Sequence, residues 1–173
     1  MISLIIARHG ETIENVSGIC QGQTDGTLSE KGLKENDELG KKLMQYDFQT
    51  IYSSPLGRAL ETAKAIQLNN QKSSIIIDER LMERHLGIFQ GKPYPIPYYE
   101  NELYEGMETV GSMAERMNSF LLDIKKNKSD ETIVMVSHGY VLKVLLSIID
   151  NLPVNDFYKV TLMGNSGFVE KIV

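Results

Sequence analysis

The stretch of sequence that decides the fold class is Ile2-Ser3-Leu4-Ile5-Ile6-Ala7. It is apolar except for Ser3, as is typical of a strand buried on both faces of a parallel sheet. Similar segments recur at residues 50–53, 74–78 and 132–136, and amphipathic helices are predicted between them. Strands that alternate with helices indicate an α/β fold, here three layers (α/β/α) around a mostly parallel sheet. Two further β segments, at residues 157–163 and 167–173, are predicted to close the chain.

Signals for helix termini locate the predicted helices. Ser29 is the predicted N-cap of a helix that runs to about residue 46, and Ser54-Pro55 is the predicted start of the next helix. Apolar spacing predicts a helix around residues 113–124, and another follows Gly139 to about residue 149. Residues 10–28 are predicted to be a loop. Residues 87–111 are predicted to be irregular, and because such a long irregular segment is usually functional, we expect a lid or specificity segment there.

The composition is that of an ordinary globular protein, and residues 1–173 are expected to form one domain. Every apolar run is far shorter than the ~20 residues that span a bilayer, so no membrane partner is expected. The net charge of -5 argues against a nucleic-acid partner. The N-terminal residues lack the features of a signal peptide, and Cys20 is the one cysteine. Both observations predict a reducing, cytoplasmic location.

Reactive and basic side chains follow the predicted strands at their carboxyl ends. Arg8 and His9 come directly after the first strand. Arg58 lies in the first turn of the helix after the second strand, and His138 follows the fourth strand. Open α/β sheets bind ligands at this edge. Because arginine pairs with phosphate oxygens through two parallel hydrogen bonds, two guanidiniums and two imidazoles that converge there predict a site for a phosphoryl group.

A metal site is the alternative interpretation of these side chains. The nominal ligands are His9, Glu11, Glu83 and His138. The positive charge of the arginine before His9 disfavours a divalent cation, so neither a metal nor another cofactor is expected. The third histidine, His85, is expected to be a supporting or surface residue.

Five ordered blocks of sequence extend over nearly the whole chain. They are Arg8-His9-Gly10-Glu11-Thr12 with Asn15; Gln21-Gly22 with Asp25, Leu28 and Gly32; Ser53-Ser54-Pro55-Leu56-Gly57-Arg58-Ala59; Leu81-Met82-Glu83-Arg84-His85-Leu86-Gly87 with Gln90-Gly91; and Val136-Ser137-His138-Gly139. Together they resemble the histidine phosphatase superfamily, in its phosphoglycerate mutase-like branch. The length and motif order are similar to those of short phosphatase members such as alpha-ribazole phosphatase-like enzymes. The resemblance implies a phosphoglycerate mutase-like fold and a small phosphorylated metabolite as substrate.

The resemblance also implies a role for each matching residue. His9 corresponds to the nucleophile that becomes phosphorylated, and Glu83 corresponds to the proton donor. A neutral imidazole can attack phosphorus and form a covalent intermediate, while positioned cations stabilise the charge on the transferred group. The matching phosphate-pocket residues are Arg8, Asn15, Arg58 and His138, and the matching substrate-contacting backbone and side chains are Gln21, Gly22 and Gly139.

The phosphoryl acceptor separates two functions within this resemblance, water in a phosphatase and a second substrate oxygen in a cofactor-dependent mutase. Mutases of the family hold a polyanionic bisphosphoglycerate with basic residues after the glutamate block. Residues 93–111 contain no Lys or Arg but have four glutamates and four tyrosines, which favours a phosphatase. An acidic loop that never touches substrate is the simpler interpretation of that segment. A low-activity module that binds phosphorylated ligands is a third possible function.

Two departures from the family pattern follow the last block. Tyr140 and Lys143 occupy positions where many relatives have a glycine and an arginine, so the wall of the pocket is expected to differ. Residues 165–167 resemble a family turn only loosely and receive no predicted role. The physiological substrate and the oligomeric state are not predicted.

Overall fold

A computed structural model describes residues 1–128 and 130–173, and within them five strands form one mixed sheet. The strands are β1 (Ser3–Arg8), β2 (Phe48–Ser53), β3 (Ser74–Ile77), β4 (Thr132–Ser137) and β5 (Phe168–Ile172). Their order across the sheet is β3-β2-β4-β1-β5. The pairs β1–β4, β2–β4 and β2–β3 are parallel, and β5 runs antiparallel to β1 at one edge. The predicted mostly parallel sheet is therefore confirmed.

Helices cover both faces of this sheet. They are α2 (Glu30–Leu43), α3 (Gly57–Asn69), α4 (Val110–Asn127) and α5 (Gly139–Ile149), while the short α1 (Ile13–Val16) lies in the loop after β1 and buries no residue. Alternate residues of β1 point to opposite faces, as in any strand. Leu4 and Ile6 pack with α4 and α5, whereas Ile5 and Ala7 pack with α2 and α3. The two apolar layers explain why the first strand reads as a continuous hydrophobic run.

The ends of the helices follow the sequence signals only in part. Ser29 is the N-cap of α2, and its hydroxyl accepts a hydrogen bond from the Gly32 N–H at 3.0 Å, as predicted. The prediction for Ser54 is wrong, because α3 begins at Gly57 after Leu56, which has no side-chain cap. The Ser54 hydroxyl instead contacts His138 Nε2 at 2.8 Å, so this side chain bonds to the residue that follows β4.

Two segments differ from the predicted pattern. Residues 157–163 do not form a strand; Val154–Lys159 is a 3₁₀ helix that follows Pro153. It inserts the fully buried Phe157 into the core beneath α5, which a chain extended along the sheet edge would not do. Residues 10–28 are mainly loop but include α1, which begins after the capping box formed by Thr12 and Asn15.

The predicted irregular segment is present between β3 and α4. Apart from the 3₁₀ turn at Gly87–Phe89, residues 87–109 have no regular helix or strand. An aromatic cluster organises them: the Phe89 and Tyr104 ring centroids lie 5.0 Å apart, and Tyr98 stacks on Tyr104 at 5.7 Å. Across the described residues, no helix is long and apolar enough to cross a membrane.

Candidate active site

The pairing of β1 with β4 brings the two predicted histidines together. Arg8 pairs with Ser137 at the carboxyl ends of the two strands, and the next N–H, that of His9, donates to the Ser137 carbonyl at 3.1 Å. The His9 and His138 rings then lie 5.1 Å apart between centroids. Sheet register alone therefore places residues 129 positions apart in contact.

A cavity of about 420 Å³ opens at this edge of the sheet. All but one of the predicted site residues line it, namely Arg8, His9, Asn15, Gln21, Gly22, Arg58, Glu83 and Gly139. The exception is His138, which is fully buried and contacts the His9 ring, although it does not line the cavity itself. His85 lies outside the cavity lining, and its Nδ1 is 3.0 Å from the Gly106 carbonyl.

The tautomer of His9 follows from one hydrogen bond. Its Nδ1 lies 2.7 Å from the carbonyl oxygen of Gly10, and because a carbonyl can only accept, Nδ1 carries the proton. Burial, reinforced by the positive charges of Arg58 and Arg8, holds the pKa of His9 well below its usual range. The ring is therefore neutral at pH 7, and its Nε2 carries a free lone pair.

His138 is neutral for similar reasons. Burial, together with the charge of Arg58 and the neighbouring His9 ring, holds the pKa of His138 well below its usual range. Its Nε2 bonds to the Ser54 hydroxyl, which also accepts from the Leu56 N–H at 3.3 Å. Ser54 was missed as a site residue, because its position before a proline is a stronger signal for a helix cap than for a histidine partner.

Arg58 is the most deeply enclosed cation of the site, with only 1% of its surface exposed. It donates to the carbonyl oxygens of Gly22 at 2.7 Å and Asp25 at 3.1 Å, and also to that of Thr24. The turn at residues 22–25 thus depends on the guanidinium. Gly22 has a φ of +53°, and a Cβ there would collide with the Gln90 side chain, so this turn requires glycine.

Donors without a protein partner accumulate at the cavity. Arg8 Nε and Arg58 Nε are buried and make no hydrogen bond to the described residues. Buried polar atoms are nearly always hydrogen-bonded in native proteins. Two unpaired guanidinium N–H groups beside a neutral histidine suit an anion with several acceptor oxygens.

Glu83 lines the cavity at the N-terminus of α5. Its carboxylate accepts from the N–H groups of Arg84 at 2.8 Å, Tyr140 at 3.3 Å and Val141 at 3.3 Å. The N–H groups at the start of a helix have no partner within the helix, so they are available to hold the Glu83 side chain in position. Gly139, the first residue of α5, also lies close to it: a Cβ there would lie 3.7 Å from Glu83 Oε2 and 3.8 Å from Arg8 Nη2.

A partly buried ion pair supports the backbone at Glu83. Arg116 on α4 forms a two-pronged contact with Glu108, at 2.8 Å from Nε and 2.9 Å from Nη2. The same guanidinium donates to the carbonyls of Met82 at 2.6 Å and Glu83 at 3.4 Å. The glutamate is therefore held from both sides, by α5 through its carboxylate and by α4 through its backbone.

The rest of the cavity wall includes Tyr140 and Lys143, where the wall was expected to differ, and residues that no prediction named. The additional lining residues are Leu86, Tyr94, Glu100, Tyr140, Lys143, Val160, Thr161 and Leu162. Lys143 Nζ and Glu100 Oε2 form an ion pair at 2.6 Å. Residues 160–162 escaped notice because a strand was predicted there. The segment at 87–111 thus contributes Tyr94 and Glu100 to the wall, whereas its glutamates 102 and 105 are exposed to solvent.

The turn at residues 165–167, which received no predicted role, fastens the loop that carries His9. The Asn165 side chain donates to the His9 carbonyl at 3.1 Å, and the Ser166 N–H donates to it at 3.2 Å. Ser166 has a φ of +54°, which is an uncommon conformation for serine. The turn therefore fixes the backbone of His9 from the side opposite to β4.

The nominal metal ligands are not gathered into a metal site. Glu11 bonds to the Ser29 hydroxyl at 2.8 Å and to Lys31 at 3.1 Å instead. No group of three or more His, Cys, Asp or Glu side chains that could hold a metal ion occurs in residues 1–128 and 130–173.

Comparisons with known proteins identify the family of the chain. Residues 4–170 match the histidine phosphatase superfamily (branch 1). The chain is 30% identical over 168 residues to a protein named probable phosphoglycerate mutase GpmB of Erwinia tasmaniensis, covering 90% of this chain and 78% of that protein. It is 29% identical over 175 residues to phosphoserine phosphatase 1 of Hydrogenobacter thermophilus, covering 91% and 81%. A mycobacterial glucosyl-3-phosphoglycerate phosphatase, solved with VO3, superposes with a TM-score of 0.88 at 28% identity, covering 97% of this chain and 90% of that one. The chain is thus a phosphatase-family enzyme that belongs to branch 1 of the histidine phosphatase superfamily.

Proposed function

We propose that this protein hydrolyses a small organic phosphomonoester in two steps, through a phosphohistidine at His9, without a metal ion or other cofactor. The observation that carries the proposal is the state of His9, which is neutral and protonated on Nδ1 by its bond to the Gly10 carbonyl. The lone pair on Nε2 is then available to attack phosphorus. Arg8 and Arg58 beside the ring supply the positive charge that the transferred group requires.

In the first step, His9 Nε2 forms a bond to phosphorus while the bond to the leaving oxygen breaks. Arg8, Arg58 and Asn15 surround the phosphoryl oxygens in this proposal, and Gln21, Gly22 and Gly139 form the walls next to them. His138, which resembles a phosphate-pocket residue of the family, supports the His9 ring that carries the phosphoryl group. Glu83, when protonated, gives its proton to the leaving alkoxide. Its position in the same cavity wall as His9, close to Gly139 and Arg8, supports that role.

In the second step, water replaces the alcohol. Glu83, now a carboxylate, accepts a proton from that water as its oxygen attacks the phosphohistidine, and the bond from phosphorus to His9 Nε2 breaks. The products are inorganic phosphate and neutral His9, so the site is restored. No oxidant or metal is needed in either step.

A phosphoglycerate mutase is the alternative, favoured by the names of some relatives. The cavity wall supports hydrolysis instead. Apart from Arg8 and Arg58, the described residues that line the cavity include one cation, Lys143, and its charge is paired with that of Glu100. A second phosphate group would meet this paired cation and the carboxylate beside it, which opposes a bisphosphorylated ligand. A module that merely binds phosphorylated ligands would not require Glu83 at the leaving-group side.

Location and partners belong to the same proposal. A small phosphorylated metabolite is the expected partner, and the cytoplasm is the expected location, in keeping with the one cysteine, Cys20, which is a buried free thiol.

The test is phosphate release from a panel of phosphomonoesters in the presence of EDTA, with isomerisation of 3-phosphoglycerate assayed in parallel after addition of bisphosphoglycerate. Release of phosphate without isomerisation is expected. Isomerisation with little release would identify a mutase, and a complete loss of activity that added metal restores would exclude the metal-free mechanism.

A further inference from the structure

An ion pair in the cavity wall is not used by the proposed mechanism. Lys143 Nζ lies 2.6 Å from Glu100 Oε2, and the two side chains are 16% and 37% exposed. Both residues line the same cavity as His9. A partly enclosed pair next to a reactive histidine presents a fixed positive and a fixed negative group to whatever enters beside the phosphoryl group.

The pair shares a helix face with the residue next to the proposed proton donor. Lys143 is four residues after Gly139 on α5, so the two occupy neighbouring positions on one helix face. Gly139 itself adjoins Glu83 Oε2, the proposed proton donor. A group attached to the ester oxygen therefore lies in the same cavity as the ion pair.

Glu100 is held in the wall although it belongs to the irregular segment. Its backbone carbonyl accepts a hydrogen bond from Arg84 Nη1 at 3.0 Å. Arg84 is only 1% exposed, and its guanidinium lies 5.8 Å from the centre of the Tyr140 ring and 5.8 Å from that of Phe157. This anchorage in the core distinguishes Glu100 from the solvent-exposed glutamates at 102 and 105.

We propose that Lys143 and Glu100 select a leaving group that carries both a carboxylate and an ammonium, as an α-amino acid does. The carboxylate of the ligand would pair with Lys143 and its ammonium with Glu100, in place of the ion pair between the two side chains. This proposal rests on the proposed phosphatase function of the same site.

Charge matching favours the zwitterion over singly charged leaving groups. The cavity is lined by three cations (Arg8, Arg58 and Lys143) and two carboxylates (Glu83 and Glu100). In the proposed complex, the phosphoryl dianion already pairs with the two arginines. A leaving group with a carboxylate alone would face Glu100, and one with an ammonium alone would face Lys143, whereas a zwitterion leaves neither charge opposed.

Four phosphomonoesters separate the contribution of the leaving group's carboxylate from that of its ammonium. O-Phosphoserine has both charges, 3-phosphoglycerate has a hydroxyl where phosphoserine has its ammonium, phosphoethanolamine lacks the carboxylate, and p-nitrophenyl phosphate lacks both. We expect kcat/KM for phosphoserine to exceed that for 3-phosphoglycerate and for phosphoethanolamine by about 10-fold or more, since a hydrogen bond to a charged group contributes ~1.5–3 kcal/mol.

Two variants test the pair, one for each side chain. Lys143→Met and Glu100→Gln should each lower the ratio of kcat/KM for phosphoserine to that for p-nitrophenyl phosphate by about 10- to 100-fold. Glu100→Gln should also narrow the gap between phosphoserine and 3-phosphoglycerate, because the opposing carboxylate is gone. Lys143→Arg, which keeps the charge, should retain most of the ratio, and it controls for a loss caused by misfolding.

The outcomes distinguish this proposal from the one on which it rests. If p-nitrophenyl phosphate is hydrolysed but the wild-type protein prefers 3-phosphoglycerate, or if neither variant changes the ratio, the subsite is overturned and the phosphatase function stands. If no probe releases phosphate, the phosphatase function fails and the subsite fails with it.

Discussion

The His9 and His138 rings lie 5.1 Å apart at an interplanar angle of 50°, each buried and each neutral. The contact follows from the parallel pairing of β1 with β4, because each histidine is the first residue beyond its strand. Only His9 reaches the cavity, and only His9 has its Nδ1 proton fixed by a carbonyl. The two histidines thus have different proposed roles, His9 as nucleophile and His138 as a neighbour of the phosphoryl group.

Replacement of the nucleophile should abolish turnover. We expect His9→Ala to lower kcat for p-nitrophenyl phosphate to trace levels, since no other side chain in the cavity offers a neutral nitrogen lone pair to phosphorus. His85→Ala is the matched control, because His85 lies outside the cavity lining. Retention of most activity by His9→Ala, with normal folding, would rule out the covalent mechanism.

Removal of the proton donor should depend on the leaving group. Glu83→Gln keeps the size and the acceptor oxygen of the side chain but cannot give up a proton in the same way. We expect a smaller loss of kcat/KM for aryl phosphates, whose leaving oxygens need little protonation, than for alkyl phosphates. The measurement is the ratio of the two losses; equal losses would argue against Glu83 as the leaving-group acid.

Acid should destabilise the fold through the two buried histidines. Their pKa values are lowered in the folded protein, so as pH falls below about 6.5 the unfolded chain binds protons that the native protein does not. Stability is therefore highest above that pH and is lost as pH falls toward the lowered values. We expect the free energy of unfolding to fall by about 1.4 kcal/mol per pH unit for each neutral histidine.

Chemical denaturation of the wild-type protein and of His138→Gln, between pH 7.5 and about 5.5, measures this dependence. The variant should lose about half of the slope that the two histidines contribute. Identical slopes in the two proteins would show that His138 is protonated in the native state, contrary to the environment described for it.

The turn at residues 22–25 should depend on arginine and not merely on positive charge. Arg58 donates to the carbonyls of Gly22 and Asp25 while its Nε remains unpaired. A lysine cannot reach several carbonyls and a phosphate at once. We expect Arg58→Lys to raise KM for phosphomonoesters by about 10-fold or more, since a charged hydrogen bond contributes ~1.5–3 kcal/mol.

Arg80→Lys is the control for that substitution. Arg80 also makes several contacts, with Asp78 and Asp123, but it does not line the cavity. The control should lower thermal stability without a comparable rise in KM. A similar KM in the wild type, Arg58→Lys and Arg80→Lys would mean that Arg58 stabilises the turn but does not bind the substrate.

The sequence predicted the sheet and the catalytic edge because both depend on local pattern. Apolar runs identify the strands, and parallel strands deliver the residues that follow them to one edge. The positions of Arg8, His9 and Arg58 could therefore be inferred before any coordinates. The absence of His138 from the cavity lining could not, because it depends on side-chain packing.

The features that the sequence did not reveal arise from tertiary contacts. Ser54 has the local signal of a helix cap, yet its hydroxyl serves His138. Residues 157–163 have the composition of a strand, yet burial of Phe157 turns them away from the sheet. The pairing of Lys143 with Glu100 joins a helix to an irregular segment 43 residues away, and no spacing rule links such positions.

The measurement that tests the central claim most directly is the stereochemical course at phosphorus, followed with a phosphomonoester made chiral by oxygen isotopes. Transfer first to His9 and then to water consists of two in-line displacements, each of which inverts the configuration. The account therefore predicts net retention in the inorganic phosphate released. Net inversion would mean that water attacks the substrate directly, and it would contradict the phosphohistidine intermediate.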